Sequence, residues 1–101
     1  MILVRQVFQV KYGHMDEVLA ALKAPTAAMR KMIADTRILT DISGNNFTLV
    51  MENKAESVDA FMKSMMEMFS DPAMAAQDDV FTPYIESGYR EFYTIEHEAE
   101  S

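Results

Sequence analysis

Cysteine and tryptophan are absent from this 101-residue chain, and glycine and proline occur only three times each. The absence of cysteine excludes disulfides, thiolate metal sites and a cysteine nucleophile. Three glycines are too few to expect a glycine-rich loop that cradles phosphate. No apolar run approaches the ~18 residues that a membrane-spanning helix requires. The missing residues therefore exclude several classes of protein before any motif is considered.

Basic residues are also scarce, because nine Lys and Arg stand against sixteen Asp and Glu, for a net charge of −7. An acidic chain is not expected to bind nucleic acid or membranes. The N-terminus has no basic leader before a small-residue cleavage site, so we expect a cytoplasmic protein. The length predicts a single domain over residues 1–101, with a frayed tail at residues 98–101.

The N-terminal segment has the alternating pattern of a strand. Ile2 to Tyr12 predicts the first strand, and one of its faces is apolar apart from Gln6. The other face holds Leu3 and Val7 between polar side chains, so it is partly apolar too. Both faces of the predicted sheet therefore need cover.

Three further segments predict strands. Residues 36–43 and residues 47–51 alternate in the same way, and Gly44-Asn45 between them suits the positive φ of a tight hairpin. The last strand is predicted over Tyr89 to His97, which is rich in aromatic and β-branched residues. Thr82-Pro83 is interpreted as a break, and Gly88 immediately precedes that strand.

Two segments show the spacing of amphipathic helices. Residues 14–33 predict the first helix, bent near Pro25 because proline lacks an amide hydrogen and clashes with the preceding turn. Asn53, with Glu56 three positions later, predicts the N-terminal cap of the second helix, which ends at Ser70-Asp71-Pro72. The predicted buried face of the second helix consists of Val58, Phe61, Met62, Met65, Met66 and Phe69.

The order of these elements, β-α-β-β-α-β, predicts an α+β, ferredoxin-like fold. Right-handed crossovers turn this order into a four-stranded antiparallel sheet, strand order 4-1-3-2, with both helices on one face. The second face of the sheet would then expose a large apolar patch in a monomer. A second copy of the chain would cover that patch, so we expect a homodimer with two-fold symmetry.

Two stretches resemble a known family. The first runs from Val4 to Gly13 and continues through Met15 to Leu19, and the second runs from Ser70-Asp71-Pro72 to Glu86 through Tyr93. Both resemble the dimeric α+β barrel superfamily, chiefly small NIPSNAP-like proteins and more distantly antibiotic-biosynthesis monooxygenases. The resemblance implies the same fold, and the superfamily includes cofactor-free oxygenases, haem-degrading enzymes and isomerases.

Two features depart from the enzymes of that superfamily. Haem-binding relatives usually take an axial histidine from the second helical region, and residues 54–87 contain no histidine. Relatives that oxidise polycyclic substrates or degrade haem often rely on tryptophan, which this chain lacks. We therefore expect no haem and no other cofactor.

Ten methionines raise the question of a copper(I) site, because thioethers are soft ligands. Met62, Met65, Met66 and Phe69 instead follow the i, i+3, i+4, i+7 spacing of a buried helix face. Methionine also fills irregular cores and pockets. We predict no metal site and an adaptable, methionine-lined hydrophobic pocket between the sheet and the helices.

The two histidines, His14 and His97, are expected at opposite ends of the sheet. About ten residues of strand separate them, which is roughly 30 Å at ~3.3 Å per residue. They cannot share a metal ion within one subunit.

One end of the predicted sheet gathers polar side chains beside the end of the first strand. Tyrosine hydroxyls, an imidazole and a guanidinium at the mouth of an apolar pocket are suited to orient an anionic or carbonyl group. An alternative interpretation packs the strand tyrosines in the sheet and pairs the arginine with an acid. The candidate ligand-binding residues are Tyr12, His14, Tyr84, Tyr89 and Arg90.

These features support three hypotheses of function. In the first, a homodimeric α+β barrel binds a small, largely apolar molecule between the sheet and the helices. In the second, a cofactor-independent monooxygenase or isomerase acts on an aromatic or ketone substrate, with His14 or a pocket tyrosine transferring a proton. The third is a structural role in a larger assembly, which the acidic second half of the chain leaves open.

Overall fold

The computed structural model of the chain describes residues 1–23, 35–72 and 81–99. The order of elements is the β-α-β-β-α-β order that the sequence predicts. In chain order they are β1 (Ile2–Val10), α1 (Met15–Lys23), β2 (Arg37–Thr40), β3 (Thr48–Ala55), α2 (Val58–Phe69), a short 3₁₀ turn (Thr82–Tyr84) and β4 (Ile85–Thr94).

The strands form one four-stranded antiparallel sheet in the order β2-β3-β1-β4. β1 lies at the centre, where Val7 is opposite Val50 of β3 and Tyr89 of β4. β2 is a short edge strand, with Leu39 opposite Val50. The predicted α+β fold class and the strand order 4-1-3-2 are confirmed.

Both helices pack on the same face of the sheet, which we call the helix face. Val4 and Val10 of β1 and Leu49 of β3 are wholly buried there, together with Val18 of α1. Burial of such side chains stabilises the fold by about 25 cal/mol per Å² of apolar surface removed from water. The rest of this core consists of Leu22, Met51, Phe61, Met65 and Met68.

The opposite side of the sheet, which we call the open face, carries the residues that alternate with this core. Val7 and Val50 lie at its centre, and Leu39, Tyr89 and Tyr93 are exposed around them. In the part of the chain that the structure describes, no helix packs on this face. Both faces of the first strand therefore carry apolar residues, as predicted, and the helices cover one of these faces within the subunit.

The helix α1 begins just after Gly13, whose φ of +82° is a conformation that glycine adopts without a steric penalty. Val18 and Leu22, four residues apart, lie on the side of this helix that packs against the core. The predicted helix over residues 14–33 agrees with the structure as far as Lys23. Its continuation and the predicted bend at Pro25 lie outside the described residues.

The N-terminus of α2 differs from the prediction. Asn53 lies inside β3, opposite Val4, and therefore does not cap a helix. Ser57 is the cap, because its Oγ accepts a hydrogen bond from the backbone N–H of Ala60 at 3.1 Å. Pairing with β1 extends β3 as far as Ala55 and moves the start of the helix beyond it.

The predicted buried face of α2 is wrong in part. Phe61 and Met65 are buried as predicted, but the third buried residue is Met68. The helix has two apolar stripes at the same spacing, one residue apart, and periodicity alone does not choose between them. The residues of the predicted face that are exposed instead are Val58, Met62, Met66 and Phe69.

The hairpin between β2 and β3 is wider than predicted, since β2 ends at Thr40 rather than at residue 43. Asp41 ends the strand by exchanging two hydrogen bonds with Thr48, one of them from the Thr48 N–H to Asp41 Oδ1 at 2.9 Å. Gly44 lies in the turn with a φ of +97°, as the prediction of a positive φ requires.

The start of β4 also differs from the prediction, because Gly88 lies inside the strand, opposite Phe8. A Cβ at this position would lie 2.7 Å from Phe8 Cδ1, which is closer than side-chain atoms approach each other. Glycine is therefore present within the strand to give room to a neighbouring ring. β4 begins at Ile85, four residues before the predicted start at Tyr89, and ends at Thr94 rather than at His97.

Candidate ligand-binding groove

A groove with a volume of about 430 Å³ lies on the helix face near the β4 edge of the sheet. Gln6 and Phe8 of β1 form one side of it, and residues 85–90 of β4 form the other. The volume lies in the range of small-molecule sites. Its lining combines apolar residues such as Phe8 and Ile85 with polar ones and contains no methionine, so the predicted methionine lining is not what this groove has.

The floor of the groove depends on the pairing of Phe8 with Gly88. Because Gly88 has no side chain, the Phe8 ring lies against the strand backbone and leaves open space above it. The ring of Phe81 contacts Phe8 edge-on, with 5.8 Å between the ring centroids. These contacts hold one flat apolar surface in place within the groove.

Arg90 is the charged residue of the groove that faces the helices. Its Cζ lies 5.1 Å from the centroid of the Phe61 ring of α2, a cation–π contact. Its Nη2 donates a hydrogen bond to Gln6 Oε1 at 3.5 Å. Phe92, two residues further along β4, holds Phe61 edge-on from the other side, at 5.7 Å between centroids. The guanidinium is therefore positioned by an aromatic ring and an amide.

The other arginines that the structure describes are paired on the open face. Arg37, Glu52, Arg5 and Glu91 lie directly opposite one another on β2, β3, β1 and β4, and we call this line of side chains the charged row. Arg5 Nε lies 3.4 Å from Glu52 Oε2, and Arg5 Nη1 donates to Glu91 Oε1 at 3.2 Å. Arg37 completes the row by an ion pair with Glu52. The row contains two positive and two negative charges and is neutral overall.

Tyr93 extends the charged row at the β4 edge. Its hydroxyl donates a hydrogen bond to Glu91 Oε2. That hydrogen bond, together with the negative charge of Glu91, raises the pKa of Tyr93 above its ordinary value. The phenol therefore stays protonated at neutral pH and acts as a donor to the row.

The predicted end-of-sheet cluster is present in part. The rings of His14 and Tyr84 stack with 5.0 Å between centroids and 27° between planes. The backbone N–H of Lys11 fixes this arrangement by donating to the Tyr84 carbonyl at 2.8 Å. His14 Nδ1 also lies 3.4 Å from Glu17 Oε1. His14 and Tyr84 are thus brought together as expected, at the start of α1.

The remaining candidates lie elsewhere. Tyr12 is 82% exposed and packs edge-on against Phe47, at 4.9 Å between centroids. Tyr89 is on the open face opposite Val7, whereas its neighbour Arg90 is on the helix face opposite Gln6. The expected single cluster is therefore divided among four places, because β4 begins at Ile85 and adjacent strand residues point to opposite faces. A functional role for each of these residues stays a prediction.

Of the two interpretations of Arg90, the structure disagrees with pairing to an acid. Among the ion pairs between described residues, none involves Arg90. The residues of the groove that the sequence did not indicate include Phe8 and Gly88, and Phe61 lies under Arg90 beside the groove. The available signal was Gln6, the one polar residue on the apolar face of the first strand.

The described residues contain neither a metal-binding cluster nor a membrane-spanning helix. Residues 1–23, 35–72 and 81–99 contain no group of three or more His, Asp or Glu side chains that could hold a metal ion. Within the same ranges, the helices are too short and too polar to cross a membrane.

The strand order, the register and the helices on one face define the class of this protein: an α+β, ferredoxin-like β-α-β-β-α-β fold. The fold is NIPSNAP-like. A NIPSNAP domain protein from Burkholderia xenovorans is 18% identical, with 93% of each chain covered and a TM-score of 0.83. A NIPSNAP family protein from Agrobacterium tumefaciens is 13% identical, over 91% of this chain and 85% of that one, with a TM-score of 0.84.

Antibiotic biosynthesis monooxygenases are more distant in structure. A predicted member from Nitrosomonas europaea is 12% identical, over 93% of this chain and 97% of that one, with a TM-score of 0.65. No family model and no curated protein matches the sequence. At such identities the likeness establishes the fold, and the function must be argued from the residues.

Proposed function

We propose that the protein is a homodimer that binds a small, largely apolar molecule on the helix face of the sheet, in the groove formed by β1 and β4. The observation that carries this proposal is the groove of about 430 Å³ whose floor is Phe8 lying over Gly88. A concave apolar surface with a few fixed polar groups is the usual form of a small-molecule site. Gln6 and Arg90 supply those polar groups.

The homodimer is supported by the chemistry of the open face. Leu39, Tyr89 and Tyr93 are exposed there around the buried Val7 and Val50, and so form an apolar and aromatic surface. The charged row in its middle is neutral, so a partner needs no net countercharge to cover it. A second copy offers the same neutral row and the same apolar surface, which makes it the occupant that we propose.

The proposed site is tested with N-phenyl-1-naphthylamine, a neutral probe whose fluorescence rises in apolar surroundings. We expect it to bind the wild-type protein saturably. In Gly88→Ala the new methyl group displaces the Phe8 ring into the groove, so the affinity should fall about tenfold or more. Titration of both proteins with the probe measures the change.

Ser64→Ala is the control, since Ser64 is an exposed residue of α2 outside the groove lining and loses only a hydroxyl. It should bind the probe as the wild type does. Circular dichroism establishes that both variants are folded. Equal affinity of folded Gly88→Ala and wild type would contradict binding in this groove.

The enzymatic alternative depends on His14 or a pocket tyrosine. The structure places His14 beside Glu17 and Tyr84, and not in the lining of the groove. Tyr89 contributes to the lining, but its side chain is on the open face, opposite Val7. The groove therefore favours binding over proton transfer as the function to test first.

A further inference from the structure

We infer that the ligand of the groove carries one acidic group on a flat apolar body, and that Arg90 binds this group. The inference rests on the proposed function and names the class of ligand for the same site. It begins from a contrast among the arginines. Arg5 and Arg37 are both paired with glutamates, whereas the structure gives Arg90 no carboxylate partner among the described residues.

The contrast is informative because the chain is acidic. Sixteen Asp and Glu are available to nine Lys and Arg, and the other two described arginines each pair with a glutamate. A guanidinium presents five N–H donors in a planar fork that matches a carboxylate. Gln6 takes one hydrogen bond from Arg90 Nη2, at the long distance of 3.5 Å. Donors of this guanidinium therefore remain for a ligand.

The guanidinium is also held in place before any ligand binds. Phe61 lies beneath it at 5.1 Å and is itself held by Phe92. An anchored guanidinium loses less conformational freedom when it binds an acid, which raises the affinity. The apolar part of the ligand then extends along the strand over Gly88 and the Phe8 ring. A flat ring system fits that surface because the Phe8 ring and the strand at Gly88 both present flat contacts.

The far end of the groove limits the number of acidic groups. Glu86 lines that end, four residues from Arg90 along β4. At ~3.3 Å per residue, the two Cα atoms are about 13 Å apart, which is the length of a small fused-ring molecule. A second acid at the Glu86 end would meet a like charge. The charges at the two ends therefore favour a monoacid.

The test compares two probes with the same body. N-Phenyl-1-naphthylamine is neutral, and 8-anilinonaphthalene-1-sulfonate has the same ring system with one sulfonate. We expect the wild-type protein to bind the sulfonate about tenfold more tightly than the neutral probe, because only the sulfonate pairs with Arg90. In Arg90→Gln this preference should disappear, while the affinity for the neutral probe stays within about twofold.

Lys63→Gln is the matched control, since Lys63 is an exposed residue of α2 and its loss changes the net charge equally. This variant should keep the preference for the sulfonate. Competition by 2-naphthoate should exceed competition by 2,6-naphthalenedicarboxylate, and Glu86→Gln should reduce the difference.

The outcomes separate the two proposals. If Gly88→Ala weakens the binding of neither probe, the groove is not the site and the proposed function fails. If the neutral probe binds in the groove but the sulfonate binds no more tightly, or if Arg90→Gln and Lys63→Gln have equal effects, then the acidic ligand is ruled out while the proposed function stands.

Discussion

Leu39→Glu should convert the protein from a dimer to a folded monomer. Leu39 is 39% exposed in the single subunit and lies on the open face next to Val50, so a charge there is tolerated while the face meets water. In the proposed dimer the same carboxylate would be buried against the partner's apolar surface, which is strongly unfavourable. We expect the dissociation constant to rise about 100-fold or more.

Sedimentation equilibrium at micromolar concentration measures this change. The wild type should have twice the 11.5 kDa subunit mass, and Leu39→Glu should have the subunit mass itself. Thr40→Glu is the control, because Thr40 is the adjacent exposed residue on the opposite face of the same strand. It adds the same charge and should remain dimeric. A wild-type protein that sediments as a monomer would rule out the dimer.

Glu52→Gln should cost about 1–2 kcal/mol of stability, because it leaves two arginines without their shared partner. The Glu52 side chain is only 12% exposed and bridges Arg5 and Arg37. Both arginines are partly exposed, so water compensates some of the loss and the cost is below that of a fully buried pair. Urea denaturation at a fixed protein concentration measures the difference in the free energy of unfolding.

Glu98→Gln provides the comparison for Glu52→Gln. Glu98 pairs with Lys54 at 2.6 Å, but both side chains are about half exposed. An ion pair in such a position is worth little, so the variant should lie within about 0.5 kcal/mol of the wild type. Equal destabilisation by the two substitutions would show that the charged row contributes no more to stability than an exposed ion pair does.

The fold could be predicted from the sequence because its signals are periodic and repeated along the chain. Alternation over Ile2 to Val10, helical spacing after Gly13 and the turn at Gly44 each indicate one element, and their order leaves few topologies. Local sequence signals were misleading at positions where tertiary contacts determine the secondary structure. Asn53 has good capping chemistry, but its pairing with Val4 keeps it in β3 and Ser57 caps the helix.

The candidate site was harder to predict because it depends on where β4 begins. The sequence places Gly88 just before the last strand, whereas in the structure it lies inside β4 and makes room for Phe8, a contact between residues 80 positions apart. Because β4 begins at Ile85, Tyr89 and Arg90 lie away from Tyr12 and His14. The side chains of Tyr89 and Arg90 are on opposite faces of the sheet. The cation–π contact of Arg90 with Phe61 leaves no trace in the sequence of either segment.

The scarcity of glycine makes possible the most direct test of binding in the groove. Selective ¹⁵N-glycine labelling gives three amide signals, from Gly13, Gly44 and Gly88, of which Gly88 alone lines the groove. Titration with N-phenyl-1-naphthylamine should shift the Gly88 signal saturably and leave the two turn glycines unmoved. Saturable binding of the probe with the Gly88 signal unchanged would contradict a ligand site in the groove.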